Sequence, residues 1–334
     1  MKPVYQISAN GRDITDKIGD HLMRLTVVDE AGITSDRITL KLSNRDHALE
    51  HPPKGMTLAV RMGYDVPQYA MGLYVVDTIE STGNPHTLTI GAKAADMTGE
   101  MKAPKTRSWP LQDFASIVGT IAAEYGLEPA VSAALGAIVP VQIPYAQIEQ
   151  DAESDLQFLT RLAEQYDAVA KPSGGRLIFV PRGRLVSRTG KDAHKVLIDQ
   201  GSVSSWSARA PDRSKFAGVS ARWINSATET SERVRFGPDG PTYTMNTPFS
   251  SEAEALKAAQ SKHAQLARQT ATLSIEMPGN PEVEAEAVVV FTTKDPLAHG
   301  EWIVRRVEHE LSGGANGRFS TRMELEPPTE ELQP

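Results

Sequence analysis

The chain has 334 residues, with 42 acidic against 35 basic side chains, a formal charge of -7, and 40% hydrophobic residues. This ordinary soluble composition gives no global drive toward nucleic acid, and the length suits two or three domains. Cysteine is absent, which excludes disulfide scaffolds, thiolate nucleophiles and cysteine-ligated zinc or iron–sulfur sites. The opening Met1-Lys2-Pro3-Val4 carries no apolar leader core, and no apolar run reaches membrane-spanning length, so the chain reads as soluble and not as an integral membrane protein.

The first hundred residues read as strands. Val4–Ser8 is short and β-prone, and Asn10-Gly11 follows as a turn signal. Leu22–Val28 comes next, then Arg37–Leu42, where Ile38, Leu40 and Leu42 share one face. Thr57–Met62 sets Leu58, Val60 and Met62 against Thr57 and Arg61. Leu73–Ile79 and Thr87–Ile90 complete the set, divided by the turn Thr82-Gly83-Asn84-Pro85. Short strands at even spacing with no helix between them predict a small barrel or sandwich.

The period changes near Lys105. Leu111, Phe114, Ile117, Val118, Ile121 and Tyr125 recur at helical spacing, with Ser108 as the expected cap and Gly126 as the stop. A second helix is expected over Asp151–Tyr166, burying Leu156, Leu159, Leu162 and Ala163, and Leu177–Val180 follows as a strand. Strand patterns return at Lys195–Ile198, Val203–Ala208 and Ala217–Ile224. Ser251 and Glu254 form a capping-box pattern for a third helix to Arg268, whose thin stripe of Leu256, Ala259, His263 and Leu266 predicts a helix lying across a sheet. Ala271–Met277, Val283–Phe291, Trp302–His309 and Arg318–Leu325 are the last strands, before a frayed Pro/Glu-rich end.

The expected fold class is mainly β with a smaller α+β insert: two β-barrel-like domains flanking a helical domain. The boundaries read as 1–104, 105–185 and 186–327, the last with an inserted helix near 251–268, and a tail at 328–334.

No constellation for catalysis, cofactor binding or metal ligation stands out. His47 and His51 are four apart, but Ala48 follows the first histidine and Pro52-Pro53 ends any helix, so a polar surface turn is expected. Glu149, Asp151, Glu153 and Asp155 invite comparison with a glycosidase acid pair, yet they fall at a predicted helix start, where carboxylates meet unpaired N–H groups. The glycine pairs Gly174-Gly175 and Gly313-Gly314 lack a Walker lysine or dinucleotide pattern. Two charge features stand apart. Arg182, Arg184, Arg188, Lys191 and Lys195 cluster in a connection that reads either as a solvated loop or as a face for an acidic partner, whereas Glu282, Glu284 and Glu286 alternate with Val283, Ala285 and Ala287 as the solvent face of a strand or a channel wall.

The stretch Gln150-Asp151-Ala152-Glu153-Ser154-Asp155-Leu156-Gln157-Phe158-Leu159-Thr160-Arg161-Leu162-Ala163 resembles the signature helix of the late control protein D family. These are tail hub proteins of contractile-tailed bacteriophages, and type VI secretion spike proteins share a related hub region. The likeness extends to Gly55–Val60, Met71–Val75, Trp302–Leu311 and Met323-Glu324-Leu325, nearly the whole chain.

The resemblance implies a structural baseplate hub of a phage tail or contractile injection system, not an enzyme, with no cofactor. It implies a homotrimer acting as a symmetry adaptor between the sixfold tail tube and a threefold spike. Expected partners are further copies of the chain, a separate trimeric spike protein, the tube protein, other baseplate proteins and the tape measure protein. Specific nucleic-acid binding is not expected. The expected location is the virion tail baseplate or a tail-like particle, with assembly in the bacterial host cytoplasm. Because the sequence stops at Pro334 without an OB-fold or β-helix, the spike is expected to be a separate chain. The competing reading is a tail-associated peptidoglycan-degrading enzyme, which would need an acid pair or metal triad; transcriptional control would need a DNA-reading helix.

Overall fold

Alternating apolar residues build strands at most places where a period of two predicts them. The computed structural model describes residues 2–32, 36–45, 47–94, 99–110, 112–136, 147–173, 175–181, 195–210, 216–225, 228, 230–268, 271–313 and 317–328. The chain begins with β1 (Pro3–Ala9), β2 (Arg12–Asp13), α1 (Thr15–Gly19), β3 (Leu22–Glu30), β4 (Arg37–Ser43), β5 (Thr57–Tyr64), β6 (Val66–Thr82) and β7 (Thr87–Ala94). The middle holds β8 (Pro104–Pro110), α2 (Phe114–Glu124), β9 (Glu128–Val131), α3 (Ala133–Gly136), β10 (Gln147–Ser154), α4 (Asp155–Gln165), β11 (Ala168–Ser173) and β12 (Arg176–Pro181). Then come β13 (Lys195–Asp199), β14 (Ser205–Arg209), β15 (Gly218–Asn225), β16 (Thr230–Phe236), β17 (Thr242–Phe249) and α5 (Glu252–Arg268). The last strands are β18 (Thr272–Pro278), β19 (Val288–Thr292), β20 (Gly300–Ser312) and β21 (Phe319–Glu326).

Two compact units result, one from Met1–Met97, Asp192–Ala208 and Leu273–Leu325, the other from Thr98–Lys191, Arg209–Thr272 and Glu326–Pro334. The first unit is one 13-stranded sheet running β14-β18-β21-β20-β3-β4-β7-β6-β5-β1-β2, with β19 on β20 and β13 on β19 off that path. Leu25, Ile38, Leu40, Leu42, Leu58, Val60, Met62 and Tyr74, each at most 2% exposed, fill its core. Burial of side chains this large is worth about 1.5–3 kcal/mol apiece. The Tyr74 hydroxyl, buried with them, donates to the Met71 carbonyl at 2.6 Å.

The expected pair of barrels is corrected here: the fold is mainly β with a smaller helical insert, and among the described residues no sheet closes into a barrel. The cause is β20, which pairs antiparallel with β3 from Arg306–Glu30 to Ser312–Arg24. Strands before and after the insert therefore share one open sheet instead of closing separately. The expected strand over Val283–Phe291 also shortens, to β19. Glu282, Glu284 and Glu286 lie before it, outside any strand, so they do not line one strand face. Glu286, at φ +67°, accepts the Gly32 N–H at 3.1 Å, and Glu282 accepts the Tyr69 hydroxyl at 2.5 Å.

In the second unit β8 pairs with β10, β12 lies between β11 and β9, and β15 lies between β16 and β17. Phe114, Ile117, Val118 and Ile121 of α2 pack with Phe158, Leu159 and Leu162 of α4, all fully buried. The first helix starts later than its spacing predicts. Asp113 is its cap, accepting the Ser116 N–H at 2.8 Å, while Ser108 and Trp109 belong to β8, and Leu111 lies outside the described residues. Pro110 ends that strand, and the cap forms only where a free carboxylate can meet the first turn. The helix across a sheet is α5, whose Ala255, Ala258 and Ala259 are buried against Val219 and Ala221 of β15. Ser251 Oγ accepts the Glu254 N–H at 3.2 Å, while the Glu254 carboxylate returns one residue further, to the Ser250 N–H at 3.0 Å.

Candidate functional site

The polar centre of the second unit is assembled by the β8–β10 pair and the two helices that follow these strands. Antiparallel register sets Arg107 opposite Gln150 and Lys105 opposite Glu153. A bulge lies between Gln150 and Glu153, with Ala152 in the left-handed region at φ +49°. That extra length turns the strand into α4, where Ser154 caps. Its Oγ accepts the Gln157 N–H at 3.2 Å, and Gln157 Oε1 accepts the Ser154 N–H at 3.0 Å.

The next residue, Asp155, is fully buried, and four donors converge on its carboxylate. Lys105 Nζ and the Tyr125 hydroxyl donate to Oδ2 at 2.6 and 2.5 Å. Arg107 Nη2 and Gln150 Nε2 donate to Oδ1 at 2.6 and 2.8 Å. Glu124, at the end of α2, balances the second positive charge: Lys105 reaches it at 2.8 Å and Arg107 at 2.5 Å. Gln150 Oε1 accepts from Arg107 Nε at 2.9 Å and from the Trp109 indole at 3.1 Å, while the Arg107 guanidinium lies 4.2 Å over the Trp109 ring.

Burial by itself would raise the Asp155 pKa; the hydrogen bonds from Lys105, Tyr125 and Gln150, with the Arg107 charge, outweigh it and hold the carboxyl below its ordinary value. Glu124 is likewise lowered: burial works against the charge, and hydrogen bonds from Lys105 and Arg107 overcome it. Burial also opposes the charge of Lys105, but hydrogen bonds to Asp155, Glu124 and Tyr125 drive its pKa up. Burial first, and then the bond to Asp155, raises that of Tyr125. Two cations face two anions, with both carboxylate oxygens of Asp155 saturated by donors. This is a clamp fastening the start of α4 to β8 and α2, and it offers no poised acid or base to a substrate.

Beside it, Arg161 and Glu153 pair two-pronged, Nε to Oε1 at 2.9 Å and Nη2 to Oε2 at 2.9 Å, and Arg161 Nη2 also donates to the Glu149 carbonyl at 2.7 Å. The expected helix-start carboxylates are thus redistributed. Glu149, Asp151 and Glu153 belong to β10, and only Asp155 enters the helix. The Glu149 carboxylate accepts the Ser108 hydroxyl at 2.7 Å. Sequence reasoning missed Lys105, Arg107, Glu124, Tyr125 and Gln150. The signal for two of them was period two: Lys105 and Arg107 share one face of β8 with Trp109.

His47 does not align with His51 on a helical turn; it sits at φ +56° with its ring 4.4 Å from that of His86. Among the described residues no group of three or more His, Asp or Glu side chains is placed to hold a metal ion. Arg182, Arg184, Arg188 and Lys191 lie outside the described residues. Lys195 opens β13 and pairs with Glu301 at 2.7 Å.

Comparison with known proteins supplies the family. The family model described as phage tail baseplate hub (GPD) matches residues 54–315. A relative in Escherichia phage P2, named "Probable baseplate hub protein", is 28% identical over 369 residues, covering 98% of this chain and 93% of its own length. A 43 kDa tail protein of prophage MuSo2 from Shewanella oneidensis shares the fold at a TM-score of 0.74 and 14% identity, over 98% of this chain and 99% of that one. A tail protein from Neisseria meningitidis MC58 does so at 0.74 and 10% identity, over the full length of both. The matched span takes in strands β6, β7 and β20, the clamp and all of α4, and by it this chain belongs to the phage tail baseplate hub family, as a structural protein of the tail.

Proposed function

We propose that the chain works as a homotrimeric symmetry adaptor, seated between the tail tube and a separate trimeric spike protein. Membership of the baseplate hub family over residues 54–315 carries this reading. The open sheet supports it physically. Its path ends at β14 and β2, and β13 forms a further margin. Leu197 of β13 is 79% exposed. Unpaired sheet edges and exposed apolar groups are liabilities that closure into a ring relieves. Tube, other baseplate proteins and tape measure protein are the remaining proposed neighbours, with assembly in the host cytoplasm.

Light scattering on the chain with and without co-expressed spike tests this reading. Three copies on one spike trimer is the expected mass, and subunit exchange with concentration follows mass action. A chain that stays monomeric and never enters particles defeats the adaptor. A turbidity assay on purified peptidoglycan addresses the enzyme alternative, and clearing by catalytic amounts of protein would establish it.

A further inference from the structure

The three-stranded sheet β16-β15-β17 has one covered and one open face. Val219, Ala221, Trp223, Val234, Phe236, Tyr243 and Met245 pack toward α5. By alternation Ser220, Arg222 and Ile224 of β15 share the other face with their register partners Arg235, Arg233 and Ser231 of β16. Arg222 and Arg233 stand directly opposite one another, both exposed. Their Cβ atoms at such positions are about 5 Å apart, and like charges so placed destabilise a sheet.

Arg235 has its own acid, Asp239 at 3.0 Å. Arg222 donates to the Asn246 carbonyl at 3.4 Å, and among the described residues no acid pairs with Arg222 or Arg233. This cost persists in a chain with an acidic excess, 42 against 35. A bound anion would convert the repulsion into a two-armed grip, since guanidinium forks match carboxylates. Ile224, 38% exposed, places an apolar contact on the same face. A peptide with alternating acidic and apolar side chains uses both features, whereas free phosphate uses only the charge.

We propose that the open face centred on Arg222 and Arg233 docks an acidic segment of another tail protein. This rests on the hub assignment and names the chemistry of one of its partners. The test uses the full chain and a short fluorescein-labelled peptide of alternating glutamate and leucine, read by anisotropy. Binding should weaken with salt and fall at least about tenfold in R222Q/R233Q, while K54Q binds as the parent does. R233E should lose binding equally yet raise the melting temperature by about 1–2 °C, because it gives Arg222 a cross-strand partner.

Parent-like binding by R222Q/R233Q, or none by the parent chain, overturns the proposal. Tighter binding of a single-stranded oligonucleotide of equal charge overturns it in favour of nucleic acid. Loss of self-association in R222Q/R233Q, without an effect on peptide binding, gives the face to a second copy instead. The mass of the spike complex reads the hub assignment separately, so failure of the docking face leaves that mass unchanged.

Discussion

Asp155 and Lys105 are fifty residues apart in sequence and 2.6 Å apart in space, the carboxylate fully buried and the ammonium one-third exposed. The folded-state pKa of Asp155 is depressed, so its stabilisation is present above the unfolded value of about 4 and is lost as pH falls through the folded one. Lys105 is raised, so its contribution is complete below the unfolded value of about 10.4 and is lost only as pH rises through the higher folded value. Stability of the second unit should therefore be flat across neutral pH and fall in acid. Asp155→Asn should cost about 3 kcal/mol at pH 7 and flatten the acid limb, as read by urea unfolding monitored at Trp109. A parent-like acid limb in the variant would remove Asp155 from this role.

The Arg161–Glu153 pair sits where each side chain is about one-third exposed, 31% and 28%. Solvent therefore screens it, and a double-mutant cycle with Arg161→Ala and Glu153→Ala should return a coupling of about 1 kcal/mol. The single Arg161→Ala change should cost more than the coupling, because the Glu149 carbonyl loses a donor as well.

Trp109 and Phe158 stack at 5.5 Å with ring planes 7° apart, joining β8 to α4. Phe158→Ala should destabilise by about 3–5 kcal/mol and shift Trp109 fluorescence to the red. Ser154→Ala, which removes only the cap, should cost about 1 kcal/mol.

His309, 1% exposed in β20, lies 3.1 Å by Nε2 from the Val283 carbonyl and 2.9 Å by Nδ1 from Thr321 Oγ1. A carbonyl only accepts, so Nε2 carries the proton; the Thr321 hydroxyl, already accepting the Asn280 N–H at 2.8 Å, has a single proton, and Nδ1 at 2.9 Å is a nearer acceptor for it than the Asn280 carbonyl at 3.5 Å. His309→Phe should cost about 1–3 kcal/mol by removing the imidazole donor to the Val283 carbonyl, and nitrogen NMR should find the Nε2–H tautomer. An Nδ1–H signal would reverse the assignment.

Local chemistry determined much of this protein. Ile38, Leu40 and Leu42 face the core because a strand alternates, and Leu159 and Leu162 are buried because a helix repeats every 3.6 residues. The motif helix also carried the family likeness, since its residues are contiguous. Tertiary structure alone decided which strands became neighbours: alternation assigns a residue to a face but does not name its hydrogen-bond partner, so the pairing of β3 with β20, and with it one open sheet in place of two barrels, was not legible. The same reason hid the clamp. Asp155 has the acidic character of a helix start, but only folding brings Lys105, Arg107 and Tyr125 to it, and only that convergence turns an ordinary first-turn carboxylate into the buried centre of the second unit.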